Sequence, residues 1–173
     1  MRKRARPLLV ALAALGLGVL HADEWESEKS KLGNFSIKDL DGRALTAAEL
    51  AGKVVVADFW AIWCAPCVKE LPELAEYHEK TQGRSDVVFL SLDVGDEAGE
   101  LREFVKKKGL RYPVYLADSL ADKQGVFGFP TKLVIDARGK QPVVRFRRVG
   151  AAAVHEIEAK VRQLLSEPPS QPQ

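Results

Sequence analysis

Two largely apolar strands joined by a long helix, then a closing strand pair and a last amphipathic helix, predict an α/β sandwich. The strands are "KVVVADF", which follows Gly52, and "DVVFLSLDV"; continuous apolar runs of this length belong in a sheet covered on both faces. A helix between them requires a crossover, and the right-handed rule makes the pair parallel. At 173 residues the chain suits one domain and can bury a core without staples.

Residues 23–33 are polar and read as a linker. The domain proper is expected over 34–166. It opens with "FSIKDLDGRALTAAEL", in which Asp41-Gly42 between short alternating runs signals a hairpin. Thr46 stands three before Glu49, the spacing of a capping box on a short helix. After the first buried strand a helix is expected from about Ala65 to Thr81, interrupted by Pro72 and closed by Gly83. Beyond the second strand, Asp96 suits a helix cap; Leu101, Phe104 and Val105 share one face, and Lys106 to Lys108 with Gly109 end that helix well. "YPVYLA" reads as a short strand and Leu120 to Phe127 as a short helix. "TKLVIDARGKQPVVRFRRVG" reads as two strands around an Arg138-Gly139 turn. The last helix spans about Ala152 to Leu165, and the Pro-rich "EPPSQPQ", 167–173, is expected to be disordered.

Apolar residues at 46% and charged ones at 29% describe an ordinary globular protein. The net charge of +2 is uneven: Arg2, Lys3, Arg4 and Arg6 lead the chain, and without them 22 of the 26 basic residues remain against 24 acidic ones. No basic patch interleaved with aromatics points to nucleic acid. The basic lead is followed by apolar Leu8 to Leu20 and a polar stretch, so residues 1–22 read as an export signal. As a helix, Leu8 to Leu20 reaches only about 20 Å against a hydrocarbon core of about 30 Å. Ala22 is a suitable last residue before cleavage. Leu20, at the minus-three position, is larger than the small residue wanted there, so an uncleaved N-terminal anchor is the alternative. Either way the expected location is periplasmic, where thiol–disulfide chemistry is free of the cytosolic glutathione pool.

The only cysteines, Cys64 and Cys67, stand in "FWAIWCAPC". A structural zinc needs four ligands, and His21, His78 and His155 lie apart, so no metal site is expected. A Cu(I) site would lack a clear third ligand. As a staple the pair closes too short a loop to restrict the unfolded chain much. A redox role fits the context. Cys64 falls between a buried strand and a helix, where unpaired N–H groups and the helix dipole favour a thiolate. Pro66 suits the first helical turn, and Cys67 lies one turn in, shielded but able to attack a mixed disulfide at Cys64.

These residues resemble the thioredoxin superfamily over about Phe35 to Leu165. "ADFWAIWCAPC" is similar to its active-site segment. Pro72, eight residues after Cys64, matches the proline that kinks the active-site helix. "GFPT", Gly128 to Thr131, looks like the loop whose proline is cis, and Gly150 matches a glycine near the last helix. The resemblance implies a thioredoxin-like fold: a central mixed β-sheet flanked by helices, here with an N-terminal β-hairpin and an extra central helical segment. It implies that Pro130 leaves the backbone at Phe129 open to pair with an extended substrate while keeping metal off the thiols. The export signal, "LAGKVVV", the extra segment and "VFGFPTKLVIDARGK" are similar to the TlpA/ResA branch of extracytoplasmic reductases, which often serve cytochrome c or copper-site assembly. Asp58 departs from the neutral residue common in that branch, and "PTK" lacks the glutamate that some cytochrome c maturation members carry after the proline.

The expected activity is therefore that of a thiol–disulfide oxidoreductase, most simply a reductase of protein disulfides, with no cofactor. Asp58, six residues before Cys64 inside an apolar strand, is expected to lack a partner and to act as general base on Cys67. Merely solvated, at a polar edge, it would have no such role. Trp63 and Pro66 are expected to border the substrate surface with Phe129 and Pro130, and Trp60 to lie in the core. Glu97 or Asp96 resembles the acidic residue that some TlpA/ResA members place near the cysteines. His78 reads as a surface residue. The expected partners are a disulfide-bearing protein and a membrane thiol–disulfide electron donor, with the enzyme a monomer. A disulfide-donating oxidase and a Cu(I)-binding assembly chaperone are the alternatives; direction depends on potentials that no sequence displays. A thiol peroxidase is disfavoured, since no activated cysteine stands upstream of the pair.

Overall fold

The computed structural model describes residues 24–171, so the expected signal, residues 1–22, lies outside the described residues. Eight strands form one mixed sheet. They are β1 (Glu26–Lys31), β2 (Ser36–Asp39), β3 (Ala44–Thr46), β4 (Val54–Trp60), β5 (Val87–Asp93), β6 (Val114–Leu116), β7 (Thr131–Asp136) and β8 (Val143–Val149). The helices are α1 (Ala65–Thr81), α2 (Ala98–Lys108), α3 (Asp118–Lys123) and α4 (Val154–Ser166), with a 3-10 turn at Ala47–Leu50. Across the sheet the order is β1-β8-β7-β4-β5-β6-β2-β3. β4, β5 and β6 run parallel, as the crossover argument requires, and the remaining pairings are antiparallel.

All seven residues of β4 are buried, because helices or turns cover both faces. Val54, Val56 and Trp60 pack with Cys67, Leu71 and Leu74 of α1, Leu101 of α2 and Ile157 of α4. Val55, Ala57 and Phe59 pack with Leu50 and Leu120 on the other side. Leu101 anchors α2 with its side chain fully withdrawn from water, a burial that contributes about 1.5–3 kcal/mol. α2 then stops at Gly109, whose φ of 66° is left-handed and comfortable only for glycine.

Three local expectations change. Residues 23–33 are not simply a linker: β1 lies within them and pairs with β8. Its side chains stay almost wholly in water and Glu28 meets Arg147 at 2.9 Å, so an edge strand held by backbone bonds carries no apolar alternation to betray it. The tail is docked rather than loose as far as it is described. The N–H and Oγ of Ser170 both donate to Asp136 Oδ2 at 2.8 Å, and Arg138 grips the same carboxylate at 2.8 Å. Gly139 is what lets the tail approach, since a Cβ there would stand 2.6 Å from the Ser170 carbonyl oxygen. Asp96 does not cap α2. Glu97 holds the N-cap position without a side-chain bond, while Asp96 turns back toward the cysteine turn.

Candidate active site

β4 ends at Trp60, and four residues later Cys64 becomes the N-cap of α1. Its Sγ accepts the Cys67 N–H at 3.3 Å, so one of the orphan donors of the helix terminus points at the sulfur. Pro66 stands in the first turn, where a missing N–H costs nothing. The two sulfurs form a disulfide. Cys64 is 5% exposed and Cys67 1%, which leaves Cys64 the more accessible of the pair. Trp63, beside it, is 67% exposed and meets Phe129 edge-on at 5.7 Å. The Phe129–Pro130 peptide is cis, and the Pro130 carbonyl accepts the Gly150 N–H at 2.7 Å. Thr131 Oγ1 donates to the Gly128 carbonyl at 2.7 Å and pins the turn leading into β7. Of the expected substrate-side residues, Trp63 and Phe129 meet beside Cys64, while Pro130, next along the loop, is buried. Phe127, in the same loop, is 90% exposed.

Asp58 is where the alternation of β4 puts it, on the face of Val56 and Trp60 that carries Cys67. It is buried but not partnerless, which corrects the expectation. Lys132 of β7, itself fully buried, meets Asp58 at 3.0 Å and Glu70 at 2.5 Å. Glu70 lies three residues after Cys67 on α1, and its other oxygen accepts the Ala152 N–H at 3.0 Å. Burial pushes the Glu70 carboxyl up and the Lys132 cation pulls it down, with the net direction upward. For Lys132, burial acts to lower the ammonium, yet the two carboxylates outweigh it and hold it above the ordinary lysine value. A buried charge survives only when paired in this way.

Lys132 and Glu70 were not singled out in the sequence, although a lysine at an inward position of "TKLVID" was the available signal. Glu97 makes no side-chain cap bond and Asp96 accepts the Ile62 N–H at 2.6 Å, so of the two acids Asp96 is the one that touches the cysteine turn. Trp60 is buried as expected and donates from Nε1 to Ser91 Oγ at 2.8 Å. His78 is half-buried rather than a surface residue, tilted against Tyr112 at 5.2 Å, and burial lowers its pKa. No group of three or more His, Cys, Asp or Glu side chains suited to a metal occurs among the described residues. No helix among the described residues is long and apolar enough to cross a membrane.

A cysteine pair at the start of a helix, facing a cis-proline loop on a thioredoxin-like sheet, defines a thiol–disulfide oxidoreductase. The chain belongs to the AhpC/TSA family of the thioredoxin superfamily, whose profile matches residues 29–141. It is 32% identical to the thiol-disulfide oxidoreductase ResA of Bacillus anthracis over 163 residues, 91% of this chain and 92% of that one. To ResA of Bacillus subtilis (strain 168) it is 32% identical over 157 residues, 86% of each. Among solved structures, a thioredoxin-family thiol:disulfide interchange protein from Chlorobium tepidum matches with TM-score 0.69 and 27% identity, covering 82% of this chain and 99% of that one. The exposed lipoprotein thioredoxin Etrx1 of Streptococcus pneumoniae matches with TM-score 0.67 and 25% identity, covering 76% and 100%.

Proposed function

We propose that this enzyme is an extracytoplasmic reductase of protein disulfides, of the kind that serves cytochrome c or copper-site assembly. It is exported by residues 1–22 or anchored by them, and it works as a monomer. The observation that carries the reading is the asymmetry of the pair: one sulfur at a helix N-cap beside an exposed tryptophan, the other buried on the face of β4 that also carries Asp58, three residues before Glu70.

In this reading the Cys64 thiolate, favoured by the helix N-terminus, attacks a substrate disulfide and one substrate thiolate leaves. Cys67 gives its proton to Asp58, attacks Cys64 Sγ and releases the second substrate thiol. Two electrons have then passed to the substrate, and the enzyme holds the Cys64–Cys67 disulfide. A membrane thiol–disulfide donor returns two electrons to complete the cycle. Trp63, Phe129 and Pro130 line the substrate face with Pro66. Trp63, Phe127 and Val149 are the exposed large hydrophobic residues among those described, and Val149 pairs with Thr131 directly after the cis-proline. That apolar rim suits a protein segment better than a small polar thiol.

Cys67→Ser is the test. Resolution then fails, and a substrate protein should stay covalently attached through Cys64 until a reductant is added. No reducible adduct in the periplasmic fraction, or tight Cu(I) binding without disulfide reduction, would overturn the reading. Equilibration of the wild type with defined thiol buffers decides direction: a potential as oxidising as about −120 mV, that of a strong disulfide donor, would make it an oxidase.

A further inference from the structure

Asp93 takes no part in the cycle above. It ends β5 on the face that carries Trp60 and α2, its side chain has no exposure to water, and neither carboxylate oxygen has a hydrogen-bond partner. An ionised carboxylate stranded in this way is costly, whereas a neutral acid needs only one acceptor. The acceptor at hand is the carboxyl of Asp96, which lies beside Asp93 three residues further on. Asp96 is already committed on its other side, taking the Ile62 N–H at 2.6 Å. Ile62 belongs to the turn that delivers Cys64, whose own N–H donates to the Ala61 carbonyl at 3.2 Å.

We propose that Asp93 is a positioning residue for the redox turn: as a neutral acid it shares its proton with Asp96, and Asp96 holds the Ile62 amide and with it the turn that carries Cys64. Two facing carboxylates would repel one another and let the turn go; one proton makes them a donor and an acceptor. Burial above all, then the Asp96 side chain and charge, and then Asp118 at the start of α3, push the Asp93 carboxyl up to about 8. The flanking strand neighbours Trp60 and Leu116 do not titrate.

The inference rests on Cys64 being the redox centre, but its test does not use redox turnover. In the oxidised protein neither cysteine titrates. Opening the turn exposes Asp93 to water, where it loses its proton, so opening becomes easier as pH rises from the unfolded carboxyl range toward the folded value and levels off above it. Hydrogen exchange at the Ile62 amide, corrected for intrinsic exchange, should lose protection by up to about tenfold per pH unit between pH 5 and 8. Asp93→Asn, which keeps a donor and cannot ionise, should flatten that dependence. Protection independent of pH in the wild type, or the same slope in the variant, would overturn the proposal. Should the variant not fold, the carboxyl carbon resonance of Asp93 in the wild type decides: titration with a midpoint above about pH 6 upholds the shared proton, and a midpoint below that sinks it.

Discussion

Replace Lys132 by methionine and the cation shared by Asp58 and Glu70 disappears with little change in volume. What remains is two carboxylates, one almost wholly buried and one mostly so. Breaking a buried ion pair from one side costs about 3–5 kcal/mol, because the surviving charge is left uncompensated. Urea unfolding of a domain of this size has a slope of about 2 kcal/mol per molar, so the midpoint should fall by about 2 M at pH 7. The loss should shrink in acid. In the variant the folded protein holds protons on these carboxyls more tightly than the unfolded chain, so stability returns as pH falls toward the ordinary carboxylate range. Urea titrations of the oxidised protein, followed by tryptophan fluorescence at pH 7 and pH 4.5, measure both effects. Asp58→Asn combined with Lys132→Met should recover part of the midpoint, since one stranded charge is gone. An unchanged midpoint at pH 7, or the same deficit at both pH values, would refute the claim that Lys132 is held by charge.

The docked tail has its own pH signature. Burial raises the Asp136 carboxyl, but hydrogen bonds from Arg138 and Ser170 prevail and bring it to about 2. The folded value lies below the unfolded one, so this stabilisation is complete above about pH 4 and is lost as pH falls through 2. Asp136→Asn should cost about 1–2 kcal/mol at pH 6, a cost that shrinks below pH 4 toward zero as pH falls through 2, measured by thermal unfolding across that range. Gly139→Ala should force the Ser170 carbonyl away and expose the tail to limited proteolysis, at a cost of about 1–3 kcal/mol. Trp63→Ala should leave stability within about 0.5 kcal/mol, as expected for an exposed side chain, while raising the KM for a protein disulfide in a reduction assay.

Chemistry placed within a few residues along the chain was legible in advance: Cys64 with Pro66, the buried strand before them and the proline in α1 each have a local physical reason that sequence displays. The loop at Pro130 was legible only through the family resemblance. The ion cluster was harder to see because its members lie on three elements, β4, α1 and β7, and only the fold brings them together. Asp58 looked unpartnered since its partner sits 74 residues further on. Lys132 showed only as a charge at an inward strand position, which reads as a broken pattern until the register with β4 is known. β1 escaped notice for a different reason, namely that an edge strand needs backbone partners and not apolar side chains.

β1 also sets how the enzyme responds to being held. Its register puts Glu26 opposite Arg147 and Lys31 opposite Val143. Arg147 in turn lies across from Leu133, two residues from the cis-proline end of β7, whereas Val143 lies across from Asp136 at the far end. The chain therefore enters the sheet at its redox end, while the tail is fastened to Asp136 at the opposite one. Any tether pulling on the residues before Glu26 would load the rim beside Cys64 first. The enzyme would hang from that rim, its dithiol turned toward the point of attachment.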